Sequence, residues 1–335
     1  MRLKLFIIII FFCFYWKTRA QDPIFTQYFL IPETLNPGFS GFMETTYAGL
    51  IHREQWPDLA LKIDTDYAFV NTWKESINSG FGVSVLNQRE NVSNFNYTQI
   101  NANYAYRVKL NDTWDFRPAI EVGFGIKSFA FQNLVLEDQI NIRTGVTNIT
   151  SIDPILKNDK VSFYDVSAGM VFNTESLWIG LSMKHLNRPN ISFATNGNVP
   201  LDSFFSLSFG YEFLLADYVD VLFLPYETKM FVTSNYMQQG GYNRLDIGAS
   251  ILFEKIYFGA TAVTNPSKNS IGSALLTSVN LFTGLQYENL KVGFSYDLNT
   301  SKIGKTGGIY EVLLTYQFSL KAKCFGCPNY EGKFK

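Results

Sequence analysis

Charge is scarce in this chain: 17% of its 335 residues are charged, and the formal net charge is −1. A nucleic-acid partner asks for a clustered excess of Lys and Arg, and that footprint is missing. Histidine occurs twice and cysteine three times, which leaves little for histidine-based catalysis or a four-ligand metal centre. Apolar runs of about 20 residues, which transmembrane helices need, are absent. Mean hydropathy is zero, so a helical membrane bundle is excluded. Disorder is excluded from the other direction, by 31 Phe, 19 Tyr and 5 Trp. An aromatic-rich, charge-poor chain of neutral hydropathy is the average expected when apolar and polar residues alternate, one face in lipid and the other in water.

Arg2 and Lys4 precede an apolar run from Leu5 to Trp16, and Thr18-Arg19-Ala20 follows with small residues. This reads as a secretory signal peptide over residues 1–20, cut between Ala20 and Gln21. The run, about 12 residues, is too short to span a bilayer. A lipoprotein signal on Cys13 is the alternative, but Phe12 is bulky where such signals carry a small residue.

Period-two alternation runs from Glu44 to Phe318. Leu290, Val292, Phe294, Tyr296 and Leu298 share one face, and Lys291, Gly293, Ser295 and Asp297 the other. Tyr310, Val312, Leu314, Tyr316 and Phe318 repeat the pattern against Glu311, Thr315 and Gln317, with Leu313 breaking it. The segments 203–215 and 95–108 alternate in the same way. Successive side chains of a strand point to opposite faces, so each segment has one oily face and one wet face. A soluble β-sandwich alternates too. Two features favour the membrane: wet faces of Gly, Ser and Asn with oily faces that begin and end in aromatics, and connections that alternate short and long.

Strands are read at 43–52, 62–70, 79–87, 95–108, 114–131, 161–172, 177–186, 203–215, 219–232, 241–253, 255–263, 273–287, 290–298 and 308–319. That makes about 14, an even number as single-chain outer-membrane barrels use. Tight turns are expected at Asn111-Asp112, Asn173-Thr174-Glu175, Ala216-Asp217, Glu254 and Glu288-Asn289. Longer loops are expected at 132–160, 187–202, 233–240, 264–272 and 299–307, with 71–78 longer than its side requires. Pro225 falls inside the ninth strand, where it cannot donate a ladder hydrogen bond, so a bulge or break is expected there. The expected class is therefore all-β, a transmembrane antiparallel barrel over residues 43–319.

A leader, residues 21–42, precedes the barrel. It carries three prolines and no strand period, and Phe25, Tyr28, Phe29, Leu30 and Ile31 are too apolar to be left in water. It is expected either below the barrel in the periplasm or in the lumen as a partial plug. The tail, 320–335, contains Cys324-Phe325-Gly326-Cys327. A small disulfide loop between Cys324 and Cys327 is expected in an oxidising periplasm. A redox-active pair and half of a zinc motif are the alternatives.

Neither His52 nor His185 stands in a nucleophile motif. Each lies near a strand end and reads as a polar residue at the membrane interface. Asp58, Asp64 and Asp66 lack the glycine turn and closing Glu of a calcium loop. The inward charges Arg107, Glu121, Lys127, Glu212, Lys291 and Asp297 are of mixed sign, with no evident cluster. No catalytic residue, cofactor or metal is expected.

Several stretches together resemble the PorP/SprF family of type IX secretion systems. They are Gln21-Asp22-Pro23-Ile24-Phe25-Thr26-Gln27-Tyr28 with Asn36-Pro37-Gly38 and Gly41; Arg53-Glu54-Gln55-Trp56; Lys184-His185-Leu186-Asn187-Arg188-Pro189; and Ser295-Tyr296-Asp297 with Gly307-Gly308 and Glu311. The matches keep the family's order over essentially the whole mature chain. Leu30-Ile31-Pro32, Pro225-Tyr226 and the cysteine tail depart from its usual pattern. The resemblance implies a non-enzymatic outer-membrane barrel of the secretion and gliding machinery. It would help specific secreted proteins, such as adhesins, to be exported or attached to the surface. The implied partners are cargo sorting domains and periplasmic components of the machine. A porin or small-ligand transporter is the alternative, since a barrel of this size can leave a lumen.

Overall fold

The computed structural model describes residues 22–130, 139–140, 159–194, 196–219, 225–267, 275–300 and 306–318. Fourteen antiparallel strands form its wall: β1 (Tyr47–Gln55), β2 (Ile63–Lys74), β3 (Ser79–Glu90), β4 (Phe95–Tyr106, continued by Val108–Lys109), β5 (Asp115–Ser128), β6 (Lys160–Asn173) and β7 (Leu177–Lys184); then β8 (Phe204–Leu214), β9 (Lys229–Gln239), β10 (Tyr242–Phe253), β11 (Ile256–Thr264), β12 (Leu276–Tyr287), β13 (Leu290–Asn299) and β14 (Ile309–Gln317). Each strand pairs with its sequence neighbours. The first and last also pair, from Tyr47↔Gln317 to Gln55↔Ile309. The ring is therefore closed, which removes the edges that so many strands would otherwise expose.

The alternation decides which way each face points. Leu50, Val83, Ile120, Ile247 and Val312 stand on the outer surface and are 50, 54, 55, 52 and 48% exposed. The inward charges Arg107, Glu121, Lys127, Glu212, Lys291 and Asp297 are all buried. A sheet that exposes its aliphatic residues and buries its charges is built for lipid outside and a polar interior. Aromatic pairs mark the two ends of β14 on that surface: Tyr296 with Tyr310 at 4.8 Å, and Tyr316 with Phe318 at 4.9 Å.

The strand ends lie close to the expected ones, with two corrections. β2 runs on to Lys74, so the connection expected to be long at 71–78 is a short turn over 75–78. The ninth strand is Lys229–Gln239 rather than 219–232. Pro225 lies before it, in a turn where its carbonyl accepts from the Thr228 N–H at 3.0 Å and the Thr228 hydroxyl at 2.7 Å. The loop expected at 233–240 is instead strand closed by a tight turn at Gly240-Gly241, and the tight turn expected at Ala216-Asp217 is part of a long connection. The physical reason is that the second half of β9 is largely polar on both faces. Thr233, Asn235 and Gln239 are buried inside, while Ser234, Tyr236 and Gln238 face out, so composition imitates a loop.

The leader from Asp22 to Phe42 forms turns and two short 3-10 segments, Pro32–Thr34 and Pro37–Phe39. Its apolar side chains Phe25, Tyr28, Phe29, Leu30, Ile31, Leu35, Phe39 and Phe42 are buried. They share one cluster with inward-facing residues of the wall, among them Tyr67 of β2, Trp178 of β7, Phe231 of β9 and Leu313 of β14. Leu313, the exception to the alternation of its strand, is 0% exposed here.

Candidate functional site

Leader and wall meet through three polar seats set in the aromatic cluster. The first gathers around Thr26. Glu311 of β14 accepts the backbone N–H groups of Thr26 at 2.7 Å and Gln27 at 3.1 Å. The Thr26 hydroxyl donates to Asp297 of β13 at 2.7 and 2.8 Å and accepts from Asn280 of β12 at 3.2 Å. Arg53 of β1 pairs with Glu311 and lies 3.6 Å from Asp297, while Ser295 donates to Glu311 at 3.2 Å. All five charged or hydroxyl groups are buried, and buried charges of this kind persist only when paired and hydrogen-bonded.

His185 makes the second seat. It is the first residue past β7, is 1% exposed, and has a positive φ of 57°. Its Nδ1 meets Asp165 of β6 at 2.8 Å and its Nε2 meets Asp22 of the leader at 2.6 Å. Burial pulls the imidazole down, but the Asp22 charge and the hydrogen bonds to both carboxylates more than reverse that, raising its pKa to about 9. Burial would raise Asp22 in turn, and His185 outweighs it, holding the carboxyl below the usual carboxylate range. A protonated imidazole donates from both nitrogens, which suits two flanking carboxylates.

Asn36 makes the third. Its amide donates to the backbone carbonyls of Met170 on β6 and Leu181 on β7, at 3.0 and 3.1 Å, while its oxygen accepts the Gly38 N–H at 2.9 Å. Ser182 and Lys184 of β7 donate to the carbonyls of Leu35 at 2.7 Å and Thr34 at 2.5 Å. Missing side chains on the wall make room. A Cβ at Gly169 would stand 2.2 Å from Asn36 Oδ1, and one at Gly80 would stand 1.9 Å from the Ser40 carbonyl oxygen.

Near the foot of the leader, Glu44 pairs with Arg107 and lies 3.3 Å from Arg117, with Arg107 stacked 4.7 Å over Trp73. Several inward charges thus cluster after all: Arg107 and Arg117 with Glu44, Arg53 with Glu311 and Asp297, and Lys229 with Glu212, while Lys127 lies 4.6 Å over the Tyr97 ring. Sequence spacing hides this because strands far apart in the chain are neighbours in the ring.

A family model, described as type IX secretion system membrane protein PorP/SprF, matches residues 17–316. The chain belongs to the PorP/SprF family. Among curated proteins none matches. Among solved structures, similar ones include a Pseudomonas aeruginosa FadL homologue (10% identity, 85% of this chain and 93% of that one, TM-score 0.45). Others are the TodX deltaS2S3 mutant monoaromatic hydrocarbon channel (8%, 84% and 91%, TM-score 0.47) and KdgM porin (11%, 82% and 99%, TM-score 0.36). This PorP/SprF chain is a 14-stranded outer-membrane β-barrel.

The stretches that carry the PorP/SprF resemblance converge on the leader and its seats. Thr26, Arg53, Ser295, Asp297 and Glu311 build the first, Asp22 and His185 the second, and Asn36 the third. Trp56 and Gly308 join the ends of β1 and β14 through a 3.0 Å backbone hydrogen bond. His185, expected at the membrane interface, is instead an interior bridge. His52 does lie on the outer surface, 2.7 Å from Asp66, which also meets Arg89 at 2.9 Å. Asp58, Asp64 and Asp66 do not converge, and among the described residues no group of His, Cys, Asp or Glu is placed to hold a metal. Asp165, Arg117 and Glu44 were not singled out from sequence, although the inward parity of Asp165 and Arg117 on their strands marks both. Ala20, Gln21, Cys324 and Cys327 lie outside the described residues.

Proposed function

We propose that this PorP/SprF barrel is a non-enzymatic docking element of the type IX secretion and gliding machinery. It helps export or surface attachment of specific secreted proteins, such as adhesins, by binding their sorting domains or periplasmic components of the machine. The observation that carries this reading is the leader. Its eight buried apolar side chains and three polar seats engage strands all round the inner wall, so in this reading residues 21–42 act as a plug. A barrel filled by its own chain has its loops and rims left for recognition, and loops on a rigid scaffold are where recognition concentrates. The loop around 187–202 is one candidate contact surface, and the loop around 132–160, most of which lies outside the described residues, is the other. The porin alternative requires the leader to leave a seat in which each apolar side chain is worth about 1.5–3 kcal/mol of burial.

Affinity purification of the tagged protein from native outer membranes in mild detergent, with mass spectrometry, tests the reading. Co-purification of a secreted protein bearing a sorting domain, or of a periplasmic machine component, is the expected result. A lone barrel, in detergent that preserves other membrane complexes, would overturn it and shift the case to transport.

A further inference from the structure

The leader precedes β1 in the chain, yet one of its three polar seats draws on the last three strands. Thr26 alone touches Asn280 of β12, Asp297 of β13 and Glu311 of β14. Closing β14 onto β1 brings the guanidinium of Arg53 to the carboxylates of Asp297 and Glu311, which β13 and β14 already hold side by side. Two backbone N–H groups and one hydroxyl of the leader complete their hydrogen bonding. Without those donors, closure would leave Glu311 with Arg53 and Ser295 alone and Asp297 with only the Arg53 charge at 3.6 Å, and under-bonded buried carboxylates are costly. The apolar side has the same dependence. Phe29 meets Phe282 of β12 at 4.6 Å, and Leu313 of β14 is an aliphatic residue on an otherwise polar inner face that finds its apolar company in the leader's cluster.

We propose that the inner wall is a peptide-binding site whose ligand is the chain's own Asp22–Phe42 segment, and that β12–β14 close onto β1 over this ligand. The leader is then the template of the barrel, not an insert added after closure. The proposal rests on the reading that the leader fills the lumen, and its test separates the two.

The full chain is refolded from urea into lipid vesicles, the compact band on unheated gels is followed in time, and conductance of the product is recorded. Gly80→Ala and Gly169→Ala each place a methyl in the leader's seat while leaving a residue that strands accept. Both should slow the appearance of the compact band by about ten-fold, because contacts formed in the transition state act on the folding rate. Gly241→Ala, whose Cβ meets nothing within 4 Å, is the control and should change the rate by less than about two-fold. Slowed refolding of the seat variants supports the proposal whatever the conductance. Wild-type refolding rates with raised conductance overturn the template and leave the plug standing. Wild-type rates with wild-type conductance overturn both. Should the glycine variants give no compact band, Thr26→Val against Thr26→Ser decides: Ser keeps the hydroxyl for Asp297 and should refold as wild type while Val is slowed, and equal rates overturn the proposal.

Discussion

The two faces of this wall follow different rules. Outside, the rule is simple: most outward positions from Leu50 to Val312 are apolar, and among the exceptions His52, Asp66 and Arg89 pair with one another on the surface. Inside, the face is polar but interrupted by apolar residues, Phe69, Trp178, Phe231, Phe282 and Leu313, all buried with the leader's aromatics. Lipid is a uniform partner, so the outer face needs only an average composition. The leader is one particular partner, so the inner face matches it residue by residue. Departures from alternation are informative on the inside, where each marks what lies against it.

That contrast can be broken from either side. The largest effect is expected from Phe29→Ala, which removes a ring packed on Phe282 and Phe231. It should lower stability by about 3–5 kcal/mol in equilibrium unfolding followed by gel shift. A loss under 1 kcal/mol, which is about the value of a single surface contact, would show that the leader is only loosely held. A smaller loss, about 2–4 kcal/mol, is expected for Ile120→Arg on the lipid face, where a charge must enter hydrocarbon. A neutral result would place that row of β5 outside the bilayer.

The smallest effect sharpens the inner comparison at His185. Its raised pKa means that its contribution is complete below about 6.5 and fades as pH rises through about 9. The lowered Asp22 contributes at neutral pH and fades only in acid. Amide hydrogen exchange of residues 22–28 should therefore be slow at neutral pH and accelerate through about pH 9, beyond the intrinsic base catalysis. His185→Gln should be fast throughout. A flat protection profile in the native protein would mean that the bridge does not hold the leader's start.

Much of the barrel is legible in sequence because lipid imposes a local rule. Period-two alternation, aromatic ends and turn residues are all short-range, and they place thirteen of the strands near their observed positions, with β9 the exception. That strand escapes because both faces of its second half, from Thr233 on, are largely polar, so composition there imitates a loop. The leader's apolar character is equally plain in Phe25 to Ile31. Its seats are not, because each draws on residues far apart in sequence: Thr26 with Glu311, Asp22 with Asp165 through His185, and Asn36 with Met170 and Leu181.

The order of residues alone determined that this chain would be a closed, lipid-facing sheet, since each residue's preference for lipid or water needs no knowledge of the others. Only the tertiary structure decided what the inward charges and the stray apolar residues are for. Ring closure sets β1 against β14 and carries the leader across strands from opposite sides of the barrel. The meaning of Arg53, His185 or Leu313 depends on that encounter, and no local pattern encodes it.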